Sequence, residues 1–367
     1  MQNTHKKICI VSISLGTGGA ERSAAMLSEM LHHHGHDVHI AILTNQIAYP
    51  YKGTLLNLGL LKSDTEKFGG RFKRILKLRA YLKKHSFDLI IDHRTKTNYN
   101  REVFYHKVIY KGIPKIYVVH SANKALYFSD APKKLAKTYN KNNTTVGVSN
   151  YITEQLFPSL GVKNGQTIHN AIDDRWGADI SAVPEILQHK KYILSYGRID
   201  DTVKDFTFLL NAFTVSNLWK EGYFLVILGD GPDKEQLKTF TQALPSQENI
   251  IFLPQQSPFS IVAKAQCVTL TSRFEGFPMV LVEALSLGVP VVSLDIVSGP
   301  SEIVNDRENG LLIPKREVSL FAEGLQEMMQ NEALRKNCET NAKASVAQFS
   351  MQEISKKWNQ LVQDAIR

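Results

Sequence analysis

The sequence predicts an α/β fold with two doubly wound parallel-sheet domains. Short apolar runs alternate with amphipathic helical stretches along the chain, a pattern typical of parallel strands joined by crossover helices. The pattern starts again after the weakly structured stretch 178–189. A length of 367 residues fits two domains of ordinary size. We therefore expect one domain over residues 1–180 and a second over residues 181–367.

The strands of the first domain are expected between turn residues such as Gly35 and Pro114. In chain order they are KICIVSIS, DVHIAILT, FDLIIDH, KIYVVHS and TTVGVS. The strands of the second domain are KYILSYG, FLVILGD, NIIFLP, CVTLTS, VPVVSL and GLLIP. Stretches with helical periodicity follow, namely SLFAEGLQEMMQ, EALRKNCETNAKASVA and MQEISKKWNQLVQDAI. Two such sheets imply a cleft between the domains, with ligands bound at the carboxyl ends of the strands.

Composition excludes several classes of protein. Hydrophobic residues make up 43% and charged residues 22% of the chain, as in ordinary soluble domains, so neither a disordered nor a fibrous protein is expected. The most apolar window, Met279–Val297, is interrupted by Glu283, Pro290 and Asp295 and does not suit a membrane-spanning helix. The cysteines are scattered without metal or disulfide spacing, which favours a reducing compartment, and we expect the cytosol.

Positive charge is concentrated in the first half of the chain. Residues 1–182 carry 26 Lys and Arg against 13 Asp and Glu, whereas residues 183–367 carry 18 against 22. The segment Lys62–Lys84 alone has nine basic and two acidic residues. In the candidate helix Glu66–His85, the basic residues opposite or beside the apolar arc are Lys73, Arg74, Lys77 and Lys84. A solvated face is the commoner meaning of such a charge run.

Glycines follow the first expected strand at Gly16, Gly18 and Gly19. Glycine permits a tight turn, and the free amides at the start of the next helix attract phosphate. The spacing is G-x-G-G rather than G-x-G-x-x-G, and the second strand ends in Leu43-Thr44-Asn45 without an acidic residue for a ribose. The sequence therefore disfavours a dinucleotide-dependent dehydrogenase.

Two cations follow the first strand of the second domain. Arg198 comes directly after KYILSYG, and Lys204 is expected to open a helix that runs through Phe208 and Leu209. An arginine fork, a lysine point charge and the helix amides together suit a diphosphate. On this segment alone, two solvated surface cations are the alternative.

Two glutamates flank the start of a later helix. Glu275 lies in a loop with Gly276 and Pro278, and Glu283 falls inside the helix that follows. Paired carboxylates can serve substrate binding or catalysis. Because glutamates at this spacing are common, the spacing alone does not identify a site.

Further motifs occur in a fixed order along the chain. In the first half they are Gly18-Gly19-Ala20-Glu21-Arg22, Gly35-His36-Asp37-Val38, Val119-His120-Ser121 and Ile168-His169-Asn170-Ala171-Ile172-Asp173. In the second half they are Gly197-Arg198, Lys204, Leu228-Gly229-Asp230-Gly231-Pro232, the E-x7-E segment from Glu275 to Glu283, and Pro300-Ser301-Glu302-Ile303. With these motifs the chain resembles, over nearly its full length, the retaining glycosyltransferases of the GT-B fold, and specifically glycosyltransferase family 4.

The resemblance implies a fold and a donor site. The fold is GT-B, in which two Rossmann-like doubly wound parallel-sheet domains face a central cleft and the first domain lies on the acceptor side. Arg198 and Lys204 would hold the donor diphosphate, with Gly18 approaching it from the first domain. Glu283 would bind the ribose hydroxyls. Ser298-Gly299-Pro300-Ser301-Glu302 departs from the family pattern, which leaves open what this loop contacts.

The resemblance also implies two catalytic residues, Glu275 and His120, both contacting the donor sugar. For His120, a satisfied histidine at a strand end is the alternative. The remaining donor-binding residues implied are Met279, Val280 and Leu281, whose backbone at a helix start suits phosphate oxygens, and Leu253, in the loop that brackets the base.

The reaction implied is the transfer of a hexose or N-acetylhexosamine, with retention, from a nucleotide sugar to a saccharide acceptor. UDP is the expected nucleotide, on family frequency. The sequence has no D-x-D motif, the usual carboxylate clamp for a divalent cation. We therefore expect no cofactor, no metal site and metal-independent transfer, with Arg198 and Lys204 in the place of the metal. No nucleic-acid partner is expected.

Many relatives in this family extend lipid-linked glycans. Together with the basic segment Lys62–Lys84, this predicts a lipid-linked acceptor, such as a lipopolysaccharide or capsule precursor. It also predicts a cytoplasmic protein that is peripherally associated with the inner face of the cell membrane through an anionic surface.

Other functions share parts of this pattern. A GT-B isomerase or phosphorylase would have the same fold and part of the phosphate site, although a phosphorylase would need a pyridoxal-type lysine and a longer chain. An inactive scaffold subunit would bind the nucleotide sugar without transferring it. The presence of Arg198, Lys204, Glu275 and Glu283 together disfavours the scaffold.

Overall fold

The computed structural model describes residues 5–16, 18–62, 70–177 and 183–366. The chain divides into two compact units. The first unit comprises residues 1–171 together with 351–367, and the second comprises residues 172–350.

The first unit contains a sheet of seven strands among its described residues. In chain order they are β1 (Lys7–Ser12), β2 (Asp37–Ile42), β3 (Thr54–Asn57), β4 (Leu89–Asp92), β5 (Lys115–Val119), β6 (Thr144–Gly147) and β7 (Gly165–Thr167). Every pairing is parallel, and the order across the sheet is β3-β2-β1-β4-β5-β6-β7. The carboxyl ends of all these strands therefore lie at one edge.

The second unit contains a parallel sheet of six strands among its described residues. They are β8 (Lys191–Tyr196), β9 (Tyr223–Leu228), β10 (Ile250–Leu253), β11 (Cys267–Leu270), β12 (Val291–Leu294) and β13 (Gly310–Ile313), in the order β10-β9-β8-β11-β12-β13. The central strands are buried and almost wholly apolar, as expected of a parallel sheet covered on both faces.

Helices connect the strands in both units. The α-helices are α1 (Gly19–His33), α2 (Gly70–His85), α3 (Tyr99–Phe104), α4 (Lys124–Tyr127), α5 (Pro132–Tyr139), α6 (Phe157–Leu160), α7 (Asp201–Lys204), α8 (Phe206–Val215), α9 (Lys234–Thr241), α10 (Phe259–Val262), α11 (Met279–Ser286), α12 (Val318–Gln330), α13 (Glu332–Ser345) and α14 (Met351–Ala365). π-helical turns occur at Tyr105–Ile109 and Ile152–Leu156. No helix within the described ranges combines the length and apolar character needed to span a bilayer.

The structure contains all the strands expected from the sequence and two that were missed, β3 and β7. Both missed strands lie at the outer edges of the first sheet. Their sequences, TLLN and GQT, are short and their side chains are not buried, so neither has the apolar run that identifies an inner strand.

The unit boundaries differ from the predicted domains 1–180 and 181–367, because α14 belongs to the first unit. Trp358 on α14 is 4% exposed. His34 and His36, after α1, form hydrogen bonds with Ser355 and Asn359 of α14 at 2.9 and 3.0 Å. The periodicity of α14 predicted an amphipathic helix but could not show which core would cover its apolar face.

The basic helix predicted over Glu66–His85 is present as α2, from Gly70 to His85. Residues 66–69, the start of the predicted helix, lie outside the described residues. Among the described side chains of α2, the exposed basic ones are Lys73, Lys77, Lys83 and Lys84, whereas Arg74 is half-buried.

Candidate active site

The loops after β8 and β9 pack against each other at the carboxyl edge of the second sheet. Gly229 has a φ of 152°, and a Cβ there would lie 1.9 Å from the Gly197 carbonyl oxygen. A Cβ at Gly231 would lie 2.1 Å from the Ile199 carbonyl oxygen. Only glycine permits such an approach, and it fixes the backbone on both sides of Arg198. The Arg198 side chain is exposed and forms no ion pair with a described residue.

Lys204 and Glu275 are predicted site residues that the structure brings into direct contact. Lys204 Nζ lies 2.6 Å from Glu275 Oε1, and Ser272 Oγ donates to the same oxygen at 2.7 Å. Lys204 ends the short helix α7, and Asp205 separates it from α8 in a left-handed conformation. The prediction that Lys204 opens the longer helix is therefore wrong, since the left-handed turn places it before α8.

A buried carboxylate, Asp205, organises the residues around Lys204. Arg316 and Arg273 form ion pairs with Asp205 Oδ2 at 2.7 and 2.9 Å. Arg316 also donates to the Thr271 carbonyl oxygen at 2.9 Å, and the Thr271 hydroxyl donates to the Lys204 carbonyl oxygen at 3.0 Å. These contacts tie the loop after β11 to the end of α7.

Glu283 is buried in α11, with 2% of its surface exposed. The Tyr196 hydroxyl donates to Glu283 Oε2 at 2.6 Å. Tyr196 is the last residue of β8, so this bond links the helix to the strand beneath Arg198. A carboxylate at this depth needs such partners because burial without them is costly, and the bond fixes its orientation.

Arg316 and Tyr196 were not identified from the sequence. Arg316 lies soon after β13, and Tyr196 ends β8. Both therefore belong to the carboxyl edge where ligands bind in parallel sheets. A polar side chain at the end of a buried strand is the signal that could have found them.

The start of α11 provides backbone amides. Met279 and Val280 are its first two residues, and amides at this position have no acceptor within a helix. The N–H of Leu281 already donates to the Pro278 carbonyl oxygen at 3.0 Å. Of the three residues predicted to offer their backbone, Leu281 is thus engaged within the chain.

The loop whose contacts the resemblance left open packs against the loop that enters α11. Ser298 Oγ donates to the Gly276 carbonyl oxygen at 2.9 Å. Gly299 has a φ of 107°, and a Cβ there would lie 2.3 Å from Pro278 Cδ. This loop therefore supports the backbone between Glu275 and α11.

Leu253 ends β10 at the same edge of the second sheet. Its side chain is 6% exposed, and its carbonyl oxygen accepts a hydrogen bond from the Gly229 N–H at 3.2 Å. The predicted base-binding loop thus begins beside the glycine loop that packs on residues 197–199.

In the first unit, Gly18 directly precedes α1 and is exposed. Its φ is 148°, and its N–H donates to the Tyr49 hydroxyl at 3.2 Å. A Cβ at Gly18 would lie 2.4 Å from Glu21 Oε2. The helix start therefore requires glycine for conformational reasons, which is compatible with the predicted role and does not depend on it.

His120 follows β5, and His93 follows the neighbouring strand β4. His93 Nδ1 and His120 Nε2 are 2.9 Å apart in a hydrogen bond. Burial, with added repulsion from Lys96, lowers the pKa of His93 to about 3, and burial with repulsion from His93 and Lys96 lowers the pKa of His120 well below its ordinary value. Both rings are therefore neutral near pH 7.

The neutral pair leaves one donor and one acceptor nitrogen without a partner. These atoms are His93 Nε2 and His120 Nδ1, which have no hydrogen-bond partner among the described residues. His120 is thus only partly satisfied, because its buried Nδ1 has no hydrogen-bond partner in the described part of the chain. His93 was not identified from the sequence, although it too follows a buried strand.

Within the described ranges, no three His, Cys, Asp or Glu side chains are grouped as ligands of a metal ion. Metal-independent transfer stays a prediction that only activity measurements can test.

Two protein-family models match the chain in succession. The model described as Glycosyltransferase Family 4 matches residues 17–176, and the model described as Glycosyl transferases group 1 matches residues 178–345. The chain belongs to the GT-B glycosyltransferases. In this glycosyltransferase the second match contains Arg198, Lys204, Glu275 and Glu283.

Relatives of this glycosyltransferase cover almost its whole length. N-acetylgalactosamine-N,N'-diacetylbacillosaminyl-diphospho-undecaprenol 4-alpha-N-acetylgalactosaminyltransferase of Campylobacter jejuni is 27% identical over 96% of this chain and 98% of its own. Amylovoran biosynthesis glycosyltransferase AmsD of Erwinia amylovora is 24% identical over 98% and 99% of the two chains. The structure of Anabaena Alr3699/HepE in complex with UDP aligns with a TM-score of 0.76 at 18% identity, over 96% of this chain and 98% of its own. That likeness confirms the predicted fold class.

The buried His93 ring predicts how stability depends on pH. In the folded chain its pKa is about 3, whereas an unfolded histidine has a pKa of about 6.5, so only the unfolded chain gains this proton between pH 7.5 and pH 5. His93 should therefore lower the free energy of unfolding by about 2 kcal/mol over that range. The free energy of unfolding, measured with urea at both pH values, should fall less between pH 7.5 and pH 5 in His93→Asn than in the wild type. An equal fall in both proteins would contradict the low pKa of His93.

Proposed function

We propose that this glycosyltransferase moves a hexose or N-acetylhexosamine from a UDP-sugar to a saccharide acceptor, with retention of anomeric configuration. The observation that carries the proposal is the 2.6 Å contact between Lys204 and Glu275, next to the backbone that bears the exposed Arg198. It joins a cation suited to a diphosphate with a carboxylate suited to sugar hydroxyls. The UDP in the Alr3699/HepE complex supports UDP as the nucleotide.

The proposed chemistry follows from the charges that form in the reaction. Cleavage of the bond between sugar and diphosphate places negative charge on the leaving group and positive charge at the anomeric carbon. Lys204 and Arg198 would stabilise the diphosphate, with the amides of Met279 and Val280 adding partial positive charge. On donor binding, Lys204 would exchange its bond to Glu275 for a phosphate oxygen, which leaves Glu275 for the sugar.

The nucleoside of the donor would bind next to the proposed diphosphate contacts. Glu283, oriented by the Tyr196 hydroxyl, would accept hydrogen bonds from the ribose, and the backbone after Leu253 would contact the base. For the first unit, we propose Gly18 as a diphosphate contact and His120 as a sugar contact through Nδ1. These roles rest on the family resemblance together with the local geometry of each residue.

The acceptor we propose is a lipid-linked saccharide in bacterial surface-glycan synthesis. Two Campylobacter jejuni relatives are named as transferases that act on undecaprenol-diphosphate-linked glycans, which supports this acceptor. The exposed lysines of α2 support association with an anionic membrane surface at the cytoplasmic leaflet. An isomerase, a phosphorylase or an inactive scaffold is disfavoured because the full-length relatives are named as transferases.

The first test of the donor site is Lys204→Ala. Loss of one preorganised cation should lower turnover roughly 10² to 10³-fold, measured with the best donor from a UDP-sugar panel in the presence of EDTA. The matched control is Lys264→Ala, an exposed lysine just before β11 at the opposite edge of the sheet. Near-normal turnover in Lys204→Ala would reject the assignment of Lys204 to the diphosphate.

The same assay tests metal independence in the wild type. Activity that is lost in EDTA and restored by Mn²⁺ would reject it.

Calorimetry with free UDP should distinguish the proposed roles of Glu275 and Glu283. Glu283→Ala should weaken UDP binding because its proposed partner is the ribose, and Glu283→Gln, which keeps the shape of the buried side chain, should weaken it less. Glu275→Ala should leave UDP binding nearly intact and damage transfer, because UDP carries no sugar. An equal loss of UDP affinity in Glu275→Ala and Glu283→Ala would remove the division of roles.

Membrane association is tested by co-sedimentation with anionic vesicles at low and high salt. Each basic residue near such a surface contributes about 1 kcal/mol, so changing Lys73, Lys77 and Lys84 to Glu should lower vesicle binding more than tenfold. The control with the same change in charge replaces Lys133, Lys134 and Lys137, exposed on α5. Absence of wild-type binding at low salt, or equal loss in the control, would favour a soluble acceptor.

A further inference from the structure

Arg316 lies soon after Ile313, the last residue of β13, which is the edge strand on its side of the second sheet. Across the sheet, β12 separates β13 from β11, and β8 lies beyond β11. The loops after β11 and β8 carry Glu275 and Lys204. To contact these loops, the Arg316 side chain must extend past the end of β12.

The Arg316 guanidinium donates to three oxygens in these two loops. Nη1 donates to Asp205 Oδ2 at 2.7 Å and to the Thr271 carbonyl oxygen at 2.9 Å. Nη2 donates to the Ser272 carbonyl oxygen. Because a guanidinium is planar and holds its donors in a fixed arrangement, these bonds fix the distance between the two loops.

Two short paths lead from these oxygens to the Lys204–Glu275 contact. The Thr271 side chain is 2% exposed, and its hydroxyl lies 3.0 Å from the Lys204 carbonyl oxygen. The Ser272 hydroxyl donates to Glu275 Oε1 at 2.7 Å. Arg316 therefore supports both partners of the contact through groups other than their own side chains.

The ion pair with Asp205 also supports the backbone next to Lys204. Asp205 has a φ of 54° and a ψ of 50°, which is uncommon for a residue with a side chain. Its buried carboxylate is paired with Arg316 at 2.7 Å and Arg273 at 2.9 Å, as a buried charge requires. The pairs favour the left-handed turn that separates Lys204 from α8.

The surroundings of Arg316 suit a supporting role better than direct contact with the donor. Its guanidinium serves three protein oxygens and lies 5.5 Å from the centre of the Phe208 ring. Burial lowers the pKa of Arg316 and its pairing with Asp205 opposes that change. Arg198, by contrast, is exposed.

We propose that Arg316 is a positioning residue of the donor site, which holds Lys204 and Glu275 at the separation that transfer requires. The inference rests on the proposed function, in which Lys204 leaves Glu275 for a phosphate oxygen. When that direct contact is broken, the bonds of Arg316 to Asp205 and to the loop after β11 still hold the two side chains beside the same donor. Because a misplacement of about 1 Å can lower a rate about 10²-fold, loss of this support reduces turnover.

The test variant is Arg316→Met, and the control is Arg335→Met. Arg316→Met leaves Asp205 paired with Arg273, so the variant should fold and keep the wild-type circular dichroism. Arg335 is a matched control, because it is also half-buried, donates to a backbone carbonyl oxygen at 2.8 Å and pairs with a carboxylate. It lies on α13, outside the loops of the donor site.

Turnover is measured with the best UDP-sugar, and affinity for free UDP is measured by calorimetry. Arg316→Met should lower kcat roughly 10- to 100-fold and leave UDP affinity nearly unchanged, because Glu283 and the backbone after Leu253 belong to other elements. Arg335→Met should keep the wild-type kcat. If Arg316→Met does not fold, Arg316→Lys replaces it, since a lysine can still pair with Asp205 but lacks the planar fork.

A second measurement separates positioning from a general loss of structure. In the Lys204→Ala background, Arg316→Met should lower kcat by a smaller factor than in the wild type, as expected for residues that act together. A general structural effect would lower kcat by the same factor in both backgrounds.

Two outcomes would overturn the proposal in a protein that transfers sugar. One is near-normal kcat in the folded Arg316 variant, and the other is an equal factor of loss in the two backgrounds. Failure of the wild type to transfer sugar from every UDP-sugar tested would count instead against the proposed function.

Discussion

Parallel strand pairing is the constraint on which the arrangement of functional residues depends. Every strand pair in the described sheets is parallel, so each strand returns through a crossover and every carboxyl end opens at the same edge. In the second unit this edge collects Arg198, Glu275 and Arg316 from three loops distant in sequence. In the first unit it collects His93 and His120.

Buried carboxylates and their hydrogen-bond partners give these loops a defined geometry. A carboxylate removed from water is costly unless it is paired and hydrogen-bonded. Asp205 meets this requirement with two arginines and Glu283 with the Tyr196 hydroxyl, and each partner comes from a different element of the unit. The same bonds that satisfy the carboxylates therefore also fix the loop before Glu275 and the start of α11.

The basic residues of α2 lie in two different surroundings in the structure. Lys73, Lys77 and Lys84 lie on the exposed face of α2, where they are solvated. Arg74 lines a cavity of the first unit together with residues from other elements. The basic segment therefore has a solvated face and a side that packs into the first unit.

The sequence by itself determined the fold class and the inner strands, because buried parallel strands are continuous apolar runs. The residues proposed for the donor site came from the family resemblance of their motifs. Only the tertiary structure decided that Lys204 contacts Glu275, that Asp205, Arg316, Tyr196 and His93 hold the neighbouring groups, and that α14 packs in the first unit. Those contacts join residues far apart in the chain, and the period of a helix or strand shows which face is apolar but not which partner covers it.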